Sequence, residues 1–372
     1  MKMRCRVCGR CLGKSLLSYQ NMPAVAQYLP DEAGLTTDCG VALQVCQCDG
    51  CGLVQLNNEP VPYFREVVRA AAFSPEMREF RERQFAEWLE RYQLVGRRIL
   101  EVGCGRGEYL ELLTGAEAWG MEYNAESVAA CRTGNLRVFC GYPGEGEGPL
   151  SDMLFDGFLI LNWLEHLPEP GTVLERINAS LVPGGVGLIE VPNFDFALRN
   201  GMFTEFTRDH LFYFTGRTLR TLLELHGFEV LSCREVWHDY IISAEVRKRS
   251  PLPIGNFEAS QRRLSAELER FIGVDKVAVW GAGHQALMVL AACGLERKIC
   301  YVVDSAPFKQ GRFTPATHLP IVPPERLRED PPAAIIVMAA SYCDEVAALI
   351  RAKFAGRFRL ALLRGEFLEV IK

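Results

Sequence analysis

The chain has 372 residues, which is too long for one compact core and indicates two or three domains. Hydrophobic residues make up 49% of it and charged residues 23%, the balance of an ordinary globular protein. A formal net charge of -5 provides no basic face, so nucleic-acid binding is not expected. Neither a membrane span nor a secretion signal is found, and we therefore expect a cytoplasmic protein whose 14 cysteines are metal ligands or buried thiols.

The first 60 residues hold seven of these cysteines in short, turn-rich pieces. Two Cys-x-x-Cys pairs stand about forty residues apart and together supply the four thiolates of a closed, structural zinc site. The predicted ligands are Cys5, Cys8, Cys48 and Cys51. Three other cysteines could substitute for one of them: Cys11, Cys39 and Cys46. The sequence predicts a zinc module over 1–60, with free thiols in a reduced protein as the alternative.

Residues 64–94 contain one proline and no glycine, and their apolar positions have helical spacing, which predicts a helical connector. From Arg98 to about Lys248, apolar runs of strand length alternate with glycine turns and helix-like stretches. These strand candidates are RILEVGCG, AWGMEYN, DGFLILNW and GVGLIEVP. Such alternation predicts an α/β domain over 61–250, with a parallel sheet covered by helices.

A second α/β domain is predicted over 251–372. It follows a linker, SPLPIGNF, and its strand candidates are VAVWGAG, CYVVDSA and AAIIVMAA. The segment Gly281–Ala286 fits the pattern Gly-x-Gly-x-x-Ala and Asp304 ends the next strand, as in dinucleotide-binding sites. Because His284 and Gln285 place bulk and polarity at the turn, we nevertheless expect no binding of NAD or NADP.

In the first α/β domain, the segment Ile99–Glu108 carries glycines at alternate positions after a buried strand, and YLELL predicts a helix next. Glycines can take positive φ and let a ligand approach the backbone, and amides at a helix start would face that ligand. The Gly-x-Gly-x-Gly spacing, with Glu101 before it and Glu122 at the end of the next strand, resembles the class I S-adenosylmethionine methyltransferases. A dinucleotide site or a purely structural turn are the alternatives.

This resemblance implies S-adenosylmethionine as the cofactor, with Glu122 on its ribose and Glu101 near its methionine end. The segment Asn162–His166 after the fourth strand resembles the superfamily's segment near the sulfonium, and a glycine turn and fifth strand follow it. His166 is a candidate catalytic residue, with a structural role as the alternative. The implied cofactor-binding residues are Glu101, Gly103, Cys104, Gly105, Gly107, Glu122 and Asn162.

The order of motifs along the chain resembles the sugar C-methyltransferase family of deoxysugar pathways. The motifs are the two Cys-x-x-Cys pairs, EVGCGRG, VWGAGHQ and YVVDSAPFKQGRFTPATHLPIVPPE. The resemblance implies a zinc-binding module, a class I methyltransferase domain and a degenerate Rossmann-like C-terminal domain that binds no dinucleotide. Family members methylate a ring carbon next to a ketone on a nucleotide-linked 6-deoxysugar. The implied partner is therefore a nucleotide sugar, and we expect a monomer or small homo-oligomer.

The candidate catalytic segment is 203–214, where family enzymes carry a tyrosine and then His-Glu-His before an aromatic pair. His210 matches the last histidine, the proposed base, and Asp209 matches the adjacent carboxylate. Thr207 stands at the position of the tyrosine and Arg208 replaces the first histidine. The connector sequence AAAFS also lacks the aromatic residue that family members place near the sugar.

A base is needed because a carbon next to a carbonyl must lose a proton before it can attack a sulfonium, and a histidine can take that proton at neutral pH. The first hypothesis is thus a C-methyltransferase with His210 as base and Asp209 orienting it. Methylation of oxygen or nitrogen in another small metabolite, and a non-catalytic binding protein, are the alternatives. For His210 itself, a structural role in a helix cap is the alternative.

Overall fold

The computed structural model describes residues 4–67, 74–354 and 358–371, and divides into the units Met1–Ser250 and Pro251–Lys372. The strands of the first unit are β1 (Leu17–Met22), β2 (Val41–Gln47), β3 (Val54–Leu56), β4 (Arg98–Val102), β5 (Glu117–Glu122), β6 (Arg137–Cys140), β7 (Phe155–Leu161), β8 (Leu181–Pro192), β9 (Phe212–Tyr213), β10 (Phe228–Val236) and β11 (Ile241–Lys248). Its α-helices are α1 (Pro75–Arg91), α2 (Ala125–Thr133), α3 (Pro170–Ala179), α4 (Phe194–Asn200) and α5 (Gly216–Leu225).

A small antiparallel sheet with strand order β1-β2-β3-β9 gathers the N-terminal pieces. Its last strand comes from the middle of the chain, with Val54 opposite Tyr213 and Gln55 opposite Phe212. The sheet therefore includes residues from both sides of the boundary predicted at residue 60, and the three-domain division stays a prediction.

The large sheet has strand order β6-β5-β4-β7-β8-β11-β10 and is parallel except at its β8-β11-β10 end. From β4 the chain winds outward through β5 and β6, and then returns to the other side of β4 as β7. The strand order thus reverses between β4 and β7. In open α/β sheets, ligands bind beyond the carboxyl ends of the strands at such a reversal. The glycine loop follows β4 and the Asn162–His166 segment follows β7, so both lie at this point.

The predicted connector forms a shorter helix than expected. α1 begins at Pro75, with Ser74 as N-cap accepting from the Met77 amide at 3.1 Å, because proline suits the first helical turn and the serine oxygen satisfies an open amide. Residues 64–67 lie in turns, and residues 68–73, with most of the AAAFS sequence, lie outside the described residues. The helix buries Phe85 and Trp88 against the large sheet.

A buried ion pair fastens α1 to the centre of that sheet. Arg81 on α1 and Glu190 on β8 are both fully buried, and the guanidinium donates to the carboxylate. Gln84, one turn further along α1, donates to the second carboxylate oxygen at 2.5 Å. Each charge is thus compensated, as burial in a low-dielectric interior requires.

The second unit is a separate α/β sheet. Its strands are β12 (Val277–Trp280), β13 (Ile299–Val303), β14 (Ile321–Val322), β15 (Ala334–Val337), β16 (Arg359–Arg364) and β17 (Phe367–Ile371). Its α-helices are α6 (Gly255–Ile272), α7 (His284–Ala292), α8 (Arg326–Glu329) and α9 (Cys343–Phe354). The strand order is β14-β13-β12-β15-β16-β17, parallel except for β17. The predicted linker is shorter than expected, because α6 already begins at Gly255.

The predicted α/β fold class is confirmed, since every strand candidate coincides with an observed strand. The helix predicted in YLELL is wrong. The structure has a single 3₁₀ turn there, Leu110–Leu112, because Gly115 takes φ +92° and the chain enters β5 two residues later. Across residues 4–67, 74–354 and 358–371, each helix is too short or too polar to cross a lipid bilayer.

We expect Arg81→Ala to lower the free energy of unfolding of the first unit by about 3–5 kcal/mol, because it leaves the Glu190 carboxylate buried without its cation. Urea unfolding followed by tryptophan fluorescence measures this. Arg78→Ala is the control on the same helix: its exposed pair with Glu82 contributes about 0.3–0.5 kcal/mol. A loss below about 1 kcal/mol for Arg81→Ala would show that the pair does not hold α1 in place.

Candidate active site and metal centre

The glycine loop bends sharply over the end of β5. Gly103, Gly105 and Gly107 have φ values of +74°, +58° and +91°, a region that side chains disfavour. The Gly103 amide donates to the Met121 carbonyl at 2.9 Å, which ties the loop to β5. Cys104 is fully buried beneath the loop, with its sulfur against Gly120. The loop therefore presents backbone rather than side chains at the point where the sheet order reverses.

Two acidic residues predicted for the cofactor lie on adjacent strands. Glu122, at the end of β5, accepts from the Gly105 amide at 2.9 Å and from the Asn124 amide at 2.8 Å. Glu101 is fully buried on β4, directly before the loop. The two amides thus hold the Glu122 carboxylate beside the glycine loop.

Asn162 follows β7 in a strained conformation, with φ +49°. Its side-chain oxygen is buried and, among the described residues, accepts no hydrogen bond. The ring of its neighbour Trp163 lies 3.1 Å from where a side chain on Gly103 would begin, so the segment faces the loop closely. Strain and an unsatisfied buried acceptor are costly and are retained where a ligand uses them. The unsatisfied oxygen of Asn162 therefore fits a polar group of S-adenosylmethionine.

Sequence analysis did not predict the aromatic cluster that lies beside the glycine loop. Tyr142 contacts Tyr123, Trp163 and Phe64 edge-on, with ring centroids 6.4, 6.1 and 5.7 Å away. The Arg65 guanidinium lies 5.2 Å from the Tyr142 ring. One signal was available: Tyr123 and Trp163 each directly follow a predicted cofactor residue at a strand end. The cluster provides flat apolar surface next to the carboxylate of Glu122.

The structure brings together the two candidate catalytic histidines. The rings of His166 and His210 meet edge-on, with centroids 4.8 Å apart. His166 Nδ1 lies 2.8 Å from the carbonyl oxygen of Asp209. Because a carbonyl can only accept, Nδ1 carries the proton and Nε2 keeps its lone pair. Nε2 lies 3.8 Å from the Glu165 carboxylate, a neighbour that sequence reasoning did not single out.

Both histidine rings are neutral at physiological pH. Burial lowers the pKa of His166 to about 4, although the Asp209 carbonyl partly opposes this. Burial, and then the neighbouring His166, lower the pKa of His210 to about 3. His166 is 6% exposed whereas His210 is partly exposed, so His210 is the more accessible to an acceptor molecule.

The side chain of Asp209 makes its hydrogen bonds to the N-terminal region. Its carboxylate accepts from the Tyr63 hydroxyl at 3.0 Å and from the Ala26 amide at 3.2 Å, and among the described residues it makes no hydrogen bond to His210. The contact to the histidine pair is made by the backbone carbonyl, and its partner is His166. Residues adjacent in sequence need not face each other, and the carboxylate turns toward the N-terminal region, so a role of Asp209 in orienting His210 stays a prediction.

The four predicted cysteine ligands converge. The Sγ atoms of Cys5 and Cys51 are 3.6 Å apart, those of Cys8 and Cys48 are 3.4 Å apart, and all four lie within 4.8 Å of one another. Tetrahedral zinc with Zn–S bonds of about 2.3 Å requires sulfurs about 3.8 Å apart. The Gln55 side-chain amide donates to Cys5 Sγ and the Gly50 amide to Cys48 Sγ, contacts that stabilise thiolates. The cluster fits zinc.

The second unit repeats the acidic contact of the first, with one difference. Asp304 accepts from the Ala282 amide at 2.8 Å and the Ala306 amide at 2.9 Å, as Glu122 accepts from two amides. Lys309 also donates to the Asp304 carboxylate, at 2.9 Å. The Lys309 ammonium thus binds the carboxylate at the position that accepts from ribose in dinucleotide-binding domains. This supports the expectation that NAD does not bind, which stays a prediction.

We expect Gly105→Val to abolish S-adenosylmethionine binding measured by calorimetry, because φ is +58° there and a branched side chain would begin 3.3 Å from Glu108 and enter the ligand's path. Gly201→Val is the matched control: φ is +62° and nothing lies within 4 Å, so the backbone strain is the same away from the loop. If Gly105→Val binds S-adenosylmethionine with an affinity within about threefold of wild type, the loop is not part of the cofactor site.

Elemental analysis of protein purified without chelator is expected to give one zinc per chain. Cys48→Ser should lower both zinc content and solubility, because structural zinc contributes directly to folding. Cys39→Ser, an exposed cysteine outside the cluster, should leave both unchanged. Wild-type protein without zinc would contradict a metal centre, and loss of zinc in Cys39→Ser would contradict the ligand set.

Comparisons with known proteins identify two domain families along the chain. The methyltransferase domain family matches residues 77–233, and the C-methyltransferase C-terminal domain family matches residues 255–361. C-methyltransferase NovU of Streptomyces niveus is 26% identical, over 92% of this chain and 90% of the relative. A probable S-adenosylmethionine-dependent methyltransferase of Mycolicibacterium smegmatis is 30% identical, over 41% of this chain and 63% of the relative.

The solved structure of an S-adenosylmethionine-dependent methyltransferase from Clostridium acetobutylicum aligns with a TM-score of 0.39 and 13% identity, over 46% of this chain and 92% of that one. The two matched domains occur in order in one chain, and one relative is similar over nearly its full length. These findings identify the chain as an S-adenosylmethionine-dependent methyltransferase with a C-methyltransferase C-terminal domain.

Proposed function

We propose that this C-methyltransferase acts on the carbon next to the ketone of a nucleotide-linked keto-deoxysugar, with His210 as general base. The observation that carries the proposal is the pair of neutral, edge-on rings of His166 and His210, of which His166 lies in the segment after β7. Removal of a proton from carbon needs a base that is unprotonated before reaction. The sugar itself is implied by the resemblance of the whole chain to sugar C-methyltransferases.

The cofactor half of the site has the groups to bind and orient. Glu122 would accept the ribose hydroxyls, the backbone of the glycine loop would line the ligand, and Asn162 would use its unsatisfied oxygen. Glu101, Gly103, Cys104, Gly105 and Gly107 complete the proposed cofactor set. When bound, S-adenosylmethionine supplies an electrophilic methyl group on a positively charged sulfonium.

The other half of the proposed site, which contains His210 and His166, would transfer the proton. His210 would take a proton from the ring carbon, leaving an enolate on the sugar and an imidazolium on the enzyme. Burial makes His210 a weak base before reaction, but the enolate that would form beside it attracts the imidazolium strongly in a low-dielectric pocket. His166 is held by Asp209 with its lone pair on Nε2, toward Glu165, so it adds no competing positive charge.

We propose a purely structural role for zinc on Cys5, Cys8, Cys48 and Cys51. Four thiolates close a tetrahedral coordination sphere and leave no position for substrate. Three further proposals concern the chain as a whole: the domains are 1–60, 61–250 and 251–372, the protein is a cytoplasmic monomer or small homo-oligomer, and a nucleotide sugar is its partner.

His210→Ala is expected to lower turnover on the ketosugar by about 10²–10⁴-fold while keeping S-adenosylmethionine affinity, because general-base catalysis acts in the transition state. Asp209→Asn should cost less, because Asp209 positions His166 and does not carry the proton. The control is His238→Ala, an exposed histidine paired with Glu76, which should keep full activity.

A second measurement separates carbon from heteroatom methylation. With a ketosugar deuterated at the ring carbon next to the ketone, product formation should release deuterium to solvent. Methyl transfer to oxygen or nitrogen depends mainly on proximity and would retain it. Retained deuterium, together with His210→Ala activity within about tenfold of wild type, would contradict carbon methylation and leave the methyltransferase assignment intact.

A further inference from the structure

Tyr63 lies outside every motif noted in the sequence, yet its hydroxyl reaches the catalytic segment. Tyr63 Oη lies 3.0 Å from both carboxylate oxygens of Asp209. It also accepts from the Ala26 amide at 3.0 Å and from the Gln27 amide at 3.4 Å. The Ala26 amide shares its one proton between Tyr63 Oη and the Asp209 carboxylate, so the hydroxyl proton of Tyr63 is the donor in its own bond to Asp209.

The same contacts clamp Asp209 between two distant parts of the chain. Its carboxylate is bound by Tyr63 and by the Ala26 amide, at 3.2 Å, and it is 4% exposed. Its backbone carbonyl accepts from His166 Nδ1 at 2.8 Å. Rotation of the Asp209 backbone would break the contact to His166, and the Tyr63 hydrogen bond opposes that rotation. The chain of contacts therefore runs from Tyr63 through Asp209 to the histidine pair.

The hydroxyl of Tyr63 has no capacity left for a substrate. A phenol has one proton to donate and accepts through its oxygen, and here the carboxylate and two amides occupy these positions. A direct role in proton transfer is therefore disfavoured. The geometry fits a residue that acts through Asp209.

We propose that Tyr63 is a positioning residue: its hydrogen bond to Asp209 fixes the carbonyl that holds His166 in its Nδ1–H tautomer and keeps His210 packed against that ring. The expected effect on catalysis rests on the proposed function, whereas the expected effect on the tautomer of His166 does not. It makes a residue that lies before the matched methyltransferase domain part of the catalytic machinery.

Kinetics test the catalytic consequence. Tyr63→Phe keeps the ring and removes only the hydroxyl. It should lower kcat about tenfold, the effect of losing one hydrogen bond to a charged group, with S-adenosylmethionine affinity unchanged. Tyr28→Phe is the matched control: this ring packs against Tyr63 at 5.2 Å, is 65% exposed and should keep full activity. The double variant Tyr63→Phe/Asp209→Asn should be no slower than Asp209→Asn alone, and additive losses would overturn the proposal.

Nitrogen NMR of histidine-labelled, ligand-free protein tests the structural consequence without any substrate, using His166→Gln to assign the signal. Wild type should show His166 protonated at Nδ1, and Tyr63→Phe should show a mixture of tautomers. Asp209→Asn should show the same change, which keeps the test available if Tyr63→Phe misfolds. An unchanged tautomer in both variants overturns the proposal. A changed tautomer with retained deuterium in the product overturns the proposed function and leaves the positioning role of Tyr63 standing.

Discussion

The placement of the histidine pair depends on two hydrogen bonds made by the backbone of Leu211. Its carbonyl accepts from the Leu56 amide at 2.9 Å, at the end of β3, and its amide donates to the Glu165 carbonyl at 2.8 Å, after β7. One residue thus joins the N-terminal sheet to the segment that ends the central strand. His210 directly precedes Leu211 and His166 directly follows Glu165, so these bonds bring the two rings together. The N-terminal region is therefore part of the architecture of the site.

This arrangement has an energetic cost that depends on pH. Both histidines have folded-state pKa values far below the ordinary 6.5, because burial disfavours their charged forms. Below pH 6.5 the unfolded chain binds protons that the folded chain does not, and stability falls as pH falls toward the folded-state values. In the proposed function, the same burial keeps the imidazole of His210 uncharged before reaction, as a general base requires.

Local patterns in the sequence predicted much of the fold and some of the site. The strands could be predicted because short apolar runs bounded by glycine favour buried strands over other structures. The four cysteines converge, as the spacing of Cys5 to Cys8 and of Cys48 to Cys51 indicates. Contacts between distant segments carry no such local signal. The pairing of β3 with β9 and the bond from Tyr63 to Asp209 depend on the tertiary fold alone. The contact of the Asp209 carboxylate with the N-terminal region instead of His210 could not be predicted for the same reason.

The ion pair between Lys309 and Asp304 gives the second unit a built-in substitute for a ligand. In a dinucleotide-binding domain the acidic residue after the second strand accepts from a hydroxyl of the ribose. Here the Lys309 ammonium donates to that carboxylate instead. If NAD does not bind, as we predict, folding of the second unit does not depend on the supply of a cofactor.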